Sequence, residues 1–342
     1  MKASSPDFWW HEHPSTLSKM LLPAGWVYGE ITARRMNKAP SVKVHVPVIC
    51  IGNLVVGGTG KTPFSIGLAK QLQRAGKRPG FLLRGFGGAL KGPVQVNPDH
   101  HSAHDVGDEA LLLAKVAPTV VCADRGKGAL MASAGPIDVL LMDDGFQNPS
   151  LHKDLSIVLV DLSTGFGNGE CLPAGPLRAP VKKQLQFADI LVTVESATRK
   201  TAAGEAAMNV LTKANLPVFS TQLVACSDQQ EVSGKEYIAF SGIGRPEKFF
   251  ETLKREGAKV VTSVPYADHH PFTRQDAEKL VNLSALHQTP LMTTEKDFAR
   301  FETRNEPEFK QLRQMTAVFK VQIEIENLAE FMRVLKKRLF AP

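Results

Sequence analysis

The stretch VPVICIGNLVVGGTGKTPF, residues 46–64, decides how this chain folds. An apolar run breaks into Gly57-Gly58-Thr59-Gly60, followed by Lys61 and Thr62. The usual phosphate-binding loop reads G-x-x-x-x-G-K-[ST] between a strand and a helix. Gly60, Lys61 and Thr62 fit that pattern, but Val55 stands where its first glycine belongs. Loops that begin K-G-G-x-G-K would need a lysine at Val56, so that variant is missed too. What remains is a glycine-rich cradle between a buried strand and a helix. Glycines let successive backbone N–H groups converge on phosphate oxygens, and the helix N-terminus adds partial positive charge. On this reading Gly57, Gly58, Thr59 and Gly60 line the phosphates, Lys61 reaches the outer ones, and the Thr62 hydroxyl ligates Mg²⁺. A tight strand-to-helix turn would also use glycine, but it leaves Lys61-Thr62 unexplained.

Working outward, apolar strand-like runs alternate with helical ones. The strand candidates are PVICIG (47–52), GFLLR (80–84), TVVCAD (119–124), VLLMDD (139–144), SIVLVD (156–161) and ILVTVE (190–195). They are apolar without a period of two, as strands buried on both faces of a parallel sheet read. Segments such as PFSIGLAKQLQRAG and DEALLLAKVA supply helices between them. The pattern predicts an α/β fold with a P-loop NTPase-like, doubly wound, mostly parallel sheet. Around residues 196–235 the chain turns polar and loses its pattern, and a second alternating series follows. It closes with a strand AVFKVQIEI (317–325) and an amphipathic helix (327–340). The expected organisation is an interfacial N-terminal segment over 1–38, a P-loop core over 39–229, and a smaller α/β domain over 230–342.

The bulk numbers narrow the class. The 342 residues are 43% hydrophobic and 22% charged, an ordinary globular balance with room for about two domains. Four scattered cysteines without C-x-x-C spacing suit reduced thiols. A net charge of +7 favours anionic partners. Lacking a long basic tract or an aromatic-rich basic module, the chain is not expected to bind nucleic acid. No signal-peptide layout is visible at the N-terminus. The apolar stretch Met20–Thr32 is interrupted by Pro23, Gly25, Gly29 and Glu30. It is shorter than the ~20 apolar residues of a spanning helix. Phe8, Trp9, Trp10, Trp26 and Tyr28, followed by Arg34, Arg35 and Lys38, suit an interfacial segment on anionic lipid. The other reading is an arm that packs on its own domain.

The chemical candidates fall in one topological place. Gly57–Thr62, Arg84, Asp143–Asp144, Asp161, Asp268–His270 and Thr294–Asp297 all follow predicted strands, where open α/β sheets bind ligands. Asp143 and Asp144 end a buried strand, as a metal-facing Walker-B strand should; two solvated turn aspartates are the alternative. Asp108 begins a helix, where aspartate also serves as a cap worth about 0.5–2 kcal/mol. His269 and His270 follow Asp268, and either could simply cap or face solvent.

On these residues the chain resembles a known family. The matching stretches are GNLVVGGTGKTP (52–63), RPGFLLRGFGG (78–88), VGDEALLLA (106–114), LLMDDGFQ (140–147), LVDLSTGFGNGECLPAGPLRAP (159–180), FSGIGRPEKFF (240–250), YADHHPFT (266–273) and LMTTEKDFAR (291–300). Together they look like the tetraacyldisaccharide 4′-kinases of lipid A synthesis, over about residues 20–325. That family also lacks the first Walker-A glycine, in keeping with Val55. The resemblance implies transfer of the γ-phosphate of ATP to the 4′-hydroxyl of a tetraacylated glucosamine disaccharide 1-phosphate, giving lipid IVA for lipopolysaccharide. It implies work at the cytoplasmic face of the bacterial inner membrane, with peripheral contact to anionic lipids. No obligate protein partner is evident.

The same resemblance distributes roles. It places Lys61, Thr62, Asp143 and Asp144 at the phosphates and metal, and a base-like aspartate at Asp108. A DHH histidine would pair with Asp108, His269 ahead of His270. Arg178, in a proline-flanked loop, suits the transferring phosphate. Arg84 and Phe86 would meet the sugar-phosphate head, Phe86 standing where the family often has tyrosine. Asn53 is a further polar candidate. Thr294, Glu295 and Lys296 border the nucleotide or a hinge without an assigned role. Two other classes remain: a P-loop ATPase or GTPase switch acting on a protein, and a soluble kinase of a small metabolite. The first would need a base-reading motif such as N-K-x-D, which ILVTVESATRK does not contain.

Overall fold

The apolar run before the glycine loop becomes β1 (Val48–Asn53), buried along its whole length. In this computed structural model, which describes residues 6–195, 201–226 and 231–339, β1 lies at the centre of a nine-stranded sheet. Its neighbours are β5 (Val139–Asp143) and β6 (Leu155–Asp161), both parallel to it. Outward on one side come β2 (Pro79–Leu83), β4 (Thr119–Val121) and the edge strand β3 (Val94–Gln95). On the other side come β7 (Ile190–Glu195), β8 (Val218–Ala225) and β13 (Val321–Ile325). Only the two edge pairings, β3 with β4 and β13 with β8, are antiparallel. Val48 and Cys50 enter one hydrophobic core while Ile49 and Ile51 enter another on the opposite face. That two-sided burial is why the strand shows no apolar–polar alternation.

A second sheet of four parallel strands holds β9 (Glu236–Ser241), β10 (Lys259–Pro265), β11 (Leu291–Thr294) and β12 (Thr316–Phe319), in the order β10-β9-β11-β12. The expected strand over 317–325 is two strands in two sheets. β12 ends at Phe319 beside β11, and β13 crosses at Lys320 to pair with β8. Continuous β-propensity could not reveal the crossover, because both halves are strand and only their partners differ. The expected change of unit near residue 230 falls on residues 227–230, outside the described residues.

Seven helices matter for the site: α1 (Thr16–Met36), α2 (Lys61–Arg74), α3 (Asp108–Ala114), α4 (Pro246–Arg255), α5 (Arg274–His287), α6 (Glu295–Ala299) and α7 (Leu328–Leu339). The sequence reading groups α7 with the small unit. The structure docks it on the large sheet, where Phe331 meets Phe64 of α2 at 6.1 Å and Phe219 of β8 at 5.2 Å, both edge-on. Such aromatic pairs contribute about 0.5–1.5 kcal/mol beyond their burial. α1 lies along the loop that carries Arg178. A Cβ at Gly25 would meet the Cys171 carbonyl at 2.7 Å, and one at Gly29 would meet Cys171 Sγ at 2.8 Å. Ser18 Oγ donates to Ala174 O at 2.7 Å, and Lys183 pairs with Glu30. The glycines that argued against a spanning helix are therefore packing contacts.

Phe331→Ala should destabilise the protein by about 3–5 kcal/mol, the cost of emptying a fully buried aromatic site. Urea denaturation checks this; a loss below about 1 kcal/mol would mean that α7 is not docked against α2.

Candidate active site

The cradle is built where β1 stops. Asn53 is buried and its Nδ2 donates to Gly57 O at 3.3 Å, folding the loop back. Gly57 and Gly60 have φ of +114° and +80°, which a side chain would strain. Val55 forms a β-bridge with Leu177, and Val56 N donates to Pro176 O at 2.8 Å. The chain leaves β1 extended and pairs with the Arg178 loop. The position held by the first glycine in the standard pattern here needs strand geometry, which valine favours. A Cβ at Gly58 would meet nothing within 4 Å, so the cradle is open there. Thr59 Oγ1 is buried without a hydrogen-bond partner among the described residues.

Two carboxylates face this loop from the end of β5. Asp143 is 3% exposed, and its Oδ1 has no hydrogen-bond partner among the described residues. Burial, reinforced by Glu109 and Asp144, pushes Asp143 up to about 7, with Lys61 opposing. Asp144, half-exposed at φ +52°, lies 3.6 Å from Lys61 Nζ and 3.2 Å from Arg178 Nη2. Partial burial works against its charge, but Lys61 and Arg178 outweigh it and hold Asp144 well below the usual carboxylate range. Arg178 also donates from Nε to Val55 O at 3.3 Å and from Nη1 to Gln147 Oε1 at 3.4 Å. A hard divalent cation fits the oxygens of Thr62, Asp143 and Asp144: it would satisfy the unpartnered Asp143 oxygen and lower the cost of its charge.

Across the cleft, the small unit brings His269 to Asp108, 161 positions away, with His269 Nδ1 3.1 Å from Asp108 Oδ2. Asp108 is not the helix cap. Gly107, at φ +88°, holds that position, and Asp108 is the first helical residue, its Oδ1 accepting Glu109 N at 2.8 Å. His270 goes elsewhere: its Nε2 is 2.9 Å from Asp276 in the capping box of α5, and its ring stacks on Tyr266. Of the two candidate partners for Asp108, His269 is the one that meets it; His270, the second choice, does not reach the Asp108 site, because the helix start claims it. Phe86 lies exposed with its ring 5.0 Å from that of His269, and Arg84 is exposed on the same loop. Asp108, Glu109 and His269 lie close enough together to suggest a metal site, but Lys296 and Arg300 already supply its positive charge.

Four further groups escaped the sequence reading. Arg300 Nε donates to Asp108 Oδ2 at 2.7 Å. Arg125 is buried, with Nη1 on Cys122 O at 2.8 Å and Nε unpartnered among the described residues. Arg245, just before α4, donates to Asp161 at the end of β6, to Ser163 Oγ at 2.9 Å and to Gly58 O of the cradle at 3.4 Å. Lys248 donates to the same Asp161 oxygen at 2.6 Å. The one available signal was an arginine beside proline in GIGRPEKFF; nothing local tells what it would reach.

The family profile described as Tetraacyldisaccharide-1-P 4′-kinase matches residues 17–339. The chain belongs to this family. The matched span runs from the start of α1 to the end of α7 and contains every site residue described above. Relatives named tetraacyldisaccharide 4′-kinase agree. That of Rhodopseudomonas palustris is 45% identical over 295 residues, covering 86% of this chain and 85% of its own length. That of Paramagnetospirillum magneticum is 45% identical over 297 residues, covering 86% and 89%. A crystal structure of LpxK from Aquifex aeolicus in complex with ATP matches with a TM-score of 0.73 at 29% identity, covering 95% of this chain and all of that one. The family's P-loop kinase fold thus holds over both sheets of this chain.

The Asp161 cluster gives a pH prediction. Burial opposes its charge, but Arg245 and Lys248 hold its folded pKa below the ordinary value. Its stabilisation is therefore full above about pH 4, its unfolded value, and is lost as pH falls through the folded value. Asp161→Asn should cost about 1–2 kcal/mol at pH 7, discounted for the partial exposure of both cations. Urea titrations from pH 7 to 3 should show the gap between the two proteins narrowing on the acid side. A constant gap would contradict the assignment.

Proposed function

We propose that this kinase transfers the γ-phosphate of ATP to the 4′-hydroxyl of a tetraacylated glucosamine disaccharide 1-phosphate. The observation that carries the reading is that one cleft holds both halves of the reaction. A Cβ at Gly244 of the small unit would stand 3.7 Å from Gly58 N of the cradle and 3.4 Å from Asp268 Oδ2. The loop bearing His269 therefore lies over the phosphate loop. A nucleotide switch has no use for an Asp–His pair there, and membership of a kinase family does not favour it.

The chain's residues divide the work as follows. The amides of Gly57–Gly60 and the Lys61 ammonium bind the phosphates. Mg²⁺, held by Thr62, Asp143 and Asp144, would neutralise phosphate charge when bound. Arg178, anchored on Val55 and Gln147, orients the transferring group. Arg84 and Phe86, beside His269, meet the sugar-phosphate head, and Asn53 shapes the loop that faces it. The acceptor oxygen forms a bond to phosphorus as the bond from phosphorus to the departing ADP oxygen breaks. The hydroxyl proton passes to Asp108, oriented by His269. Residues 39–229 supply the phosphate machinery and residues 230–319 the closing unit.

We infer that the reaction runs at the cytoplasmic face of the inner membrane, where a lipid acceptor meets ATP. No helix among the described residues is long and apolar enough to cross a membrane. α1 instead leaves Leu17, Met20, Trp26, Val27, Tyr28 and Ile31 exposed, opposite the glycine face that packs on the Arg178 loop. Arg34 and Arg35 close that helix. Apolar and basic groups together suit a peripheral seat on anionic lipid.

Radiolabelled ATP offered with the disaccharide 1-phosphate should place label on the 4′ position. Lys61→Ala and Thr62→Ala should each reduce turnover by at least about 100-fold, the scale for one charge-stabilising group, with the circular dichroism unchanged. Near-normal turnover in either variant at saturating Mg²⁺-ATP would remove the cradle assignment. Separately, Trp26→Ser combined with Ile31→Ser should weaken flotation with anionic liposomes while leaving the melting temperature within a few degrees. Unchanged flotation would remove α1 from the lipid surface.

A further inference from the structure

Thr294, Glu295 and Lys296 had no role in the sequence reading, and the proposed reaction uses none of α6. Yet α6 is the element of the small unit that packs most directly on Asp108. Arg300, which follows it, is nearly buried and fixed from three sides. Its Nε donates to Asp108 Oδ2 at 2.7 Å, and its Nη1 donates to Gly242 O at 2.8 Å and to Asp297 Oδ1 at 2.6 Å. Asp297 is itself fully buried. It accepts Ser241 Oγ and Thr294 Oγ1, each at 2.7 Å, and Gly242 N at 3.0 Å. The guanidinium is thus braced before it reaches Asp108. Its Nη2 is buried without a partner among the described residues, an imperfection that stability alone does not explain.

The other side of the pair is braced by Lys296. Its Nζ lies 2.9 Å from Glu109 Oε1 and 3.4 Å from His269 Nε2. An ammonium has only donors, so it meets Nε2 favourably when that nitrogen presents its lone pair. A carboxylate has only acceptors, so Asp108 meets Nδ1 when that nitrogen carries the proton. The two neighbours within hydrogen-bond distance demand the same tautomer; the Asp268 carboxylate, whose Oδ1 lies 3.9 Å from Nε2, is too far to hold a proton there. Asp108 Oδ2 is then filled by two donors, while Oδ1 has only the Glu109 amide.

We propose that Lys296 and Arg300 are positioning residues that lock the Asp108–His269 pair into one arrangement: a neutral imidazole with its proton on Nδ1, and Asp108 Oδ1 turned out as the acceptor for the substrate hydroxyl. The role of Oδ1 rests on the kinase reading above; the locked tautomer does not. Asp108 and Glu109 belong to the large unit, and His269, Lys296 and Arg300 to the small one, so the arrangement exists only while the two units meet. The charged groups around Asp108 are Glu109 on its own helix, Lys296, Asp297 and Arg300 from α6 and its end, and Asp268 and His269 from the facing loop. Burial opposes its charge, and Lys296, His269 and Arg300 outweigh it, so Asp108 stays ionised well below the usual carboxylate range. Losing Arg300 moves that balance upward.

Histidine side-chain ¹⁵N NMR on the full chain tests the lock without any substrate, with His269→Gln to assign the signals. At pH 8 the wild type should show His269 protonated at Nδ1 and bare at Nε2. Lys296→Met should leave Nδ1–H as the major form, now held by Asp108 alone, with a measurable fraction of the Nε2–H form. A wild-type ring protonated at Nε2, or at both nitrogens, would overturn the proposal even if no variant folds. Turnover supplies the second arm. Arg300→Met should lower kcat on the order of 10–100-fold, less than loss of a proton acceptor itself, with the KM for ATP nearly unchanged. Arg300→Lys should restore part of the turnover. A loss that Arg300→Lys does not restore, or one that falls on the KM for ATP instead of kcat, would mean that Arg300 only supports the fold, against the proposal. A locked tautomer in a protein that phosphorylates no glycolipid would leave the lock standing and remove the kinase reading.

Discussion

Buried carboxylates need partners, and that need ties the two units of this protein together. Asp108, Asp161 and Asp297 are each under 5% exposed. An uncompensated charge in such a place costs several kcal/mol. Asp108 and Asp161 stand at the ligand-binding edge of the large sheet, and their cations come from the small unit: Arg300 for one, Arg245 and Lys248 for the other. Asp297, within the small unit, braces Arg300 from behind. The domain contact is therefore also the electrostatic completion of the site. Separating the units would expose or strand these charges, so nucleotide chemistry and closure are coupled through the same few side chains. Asp143 is the exception. It has no cation as close partner among the described residues, is raised towards neutrality by burial, and keeps an oxygen without a hydrogen-bond partner among them.

The phosphate loop shows how one substitution is absorbed by a second contact. A glycine in place of Val55 would permit a sharper entry to the loop. Valine instead continues the strand and bridges to Leu177. That bridge positions Arg178 above Asp144, where it shares the carboxylate with Lys61. The arginine loop is in turn the platform for α1, whose glycine face packs on Cys171 and Pro180. α1 and the Arg178 guanidinium thus both rest on one loop. Movement of α1 would be felt at Arg178 through direct packing rather than through a distant path.

Much of the fold was legible in the sequence because its signals are local. Unbroken apolar runs mark strands with two buried faces, and glycines before Lys61 mark a phosphate cradle, since backbone geometry and residue type are coupled at each position. The strand-end placement of Asp143, Asp144 and Asp161 follows from the same alternation. What the sequence by itself determined was therefore the parallel sheet, the cradle and the acidic residues that end its strands. The tertiary structure alone decided who meets whom. It split 317–325 between two sheets, sent His270 to a helix cap and His269 to Asp108, and brought Arg245 and Arg300 across the cleft. The contacts of His269, Arg245 and Arg300 across the cleft join residues 82 to 192 positions apart. They depend on how two separately folded surfaces meet, and no local propensity carries that information.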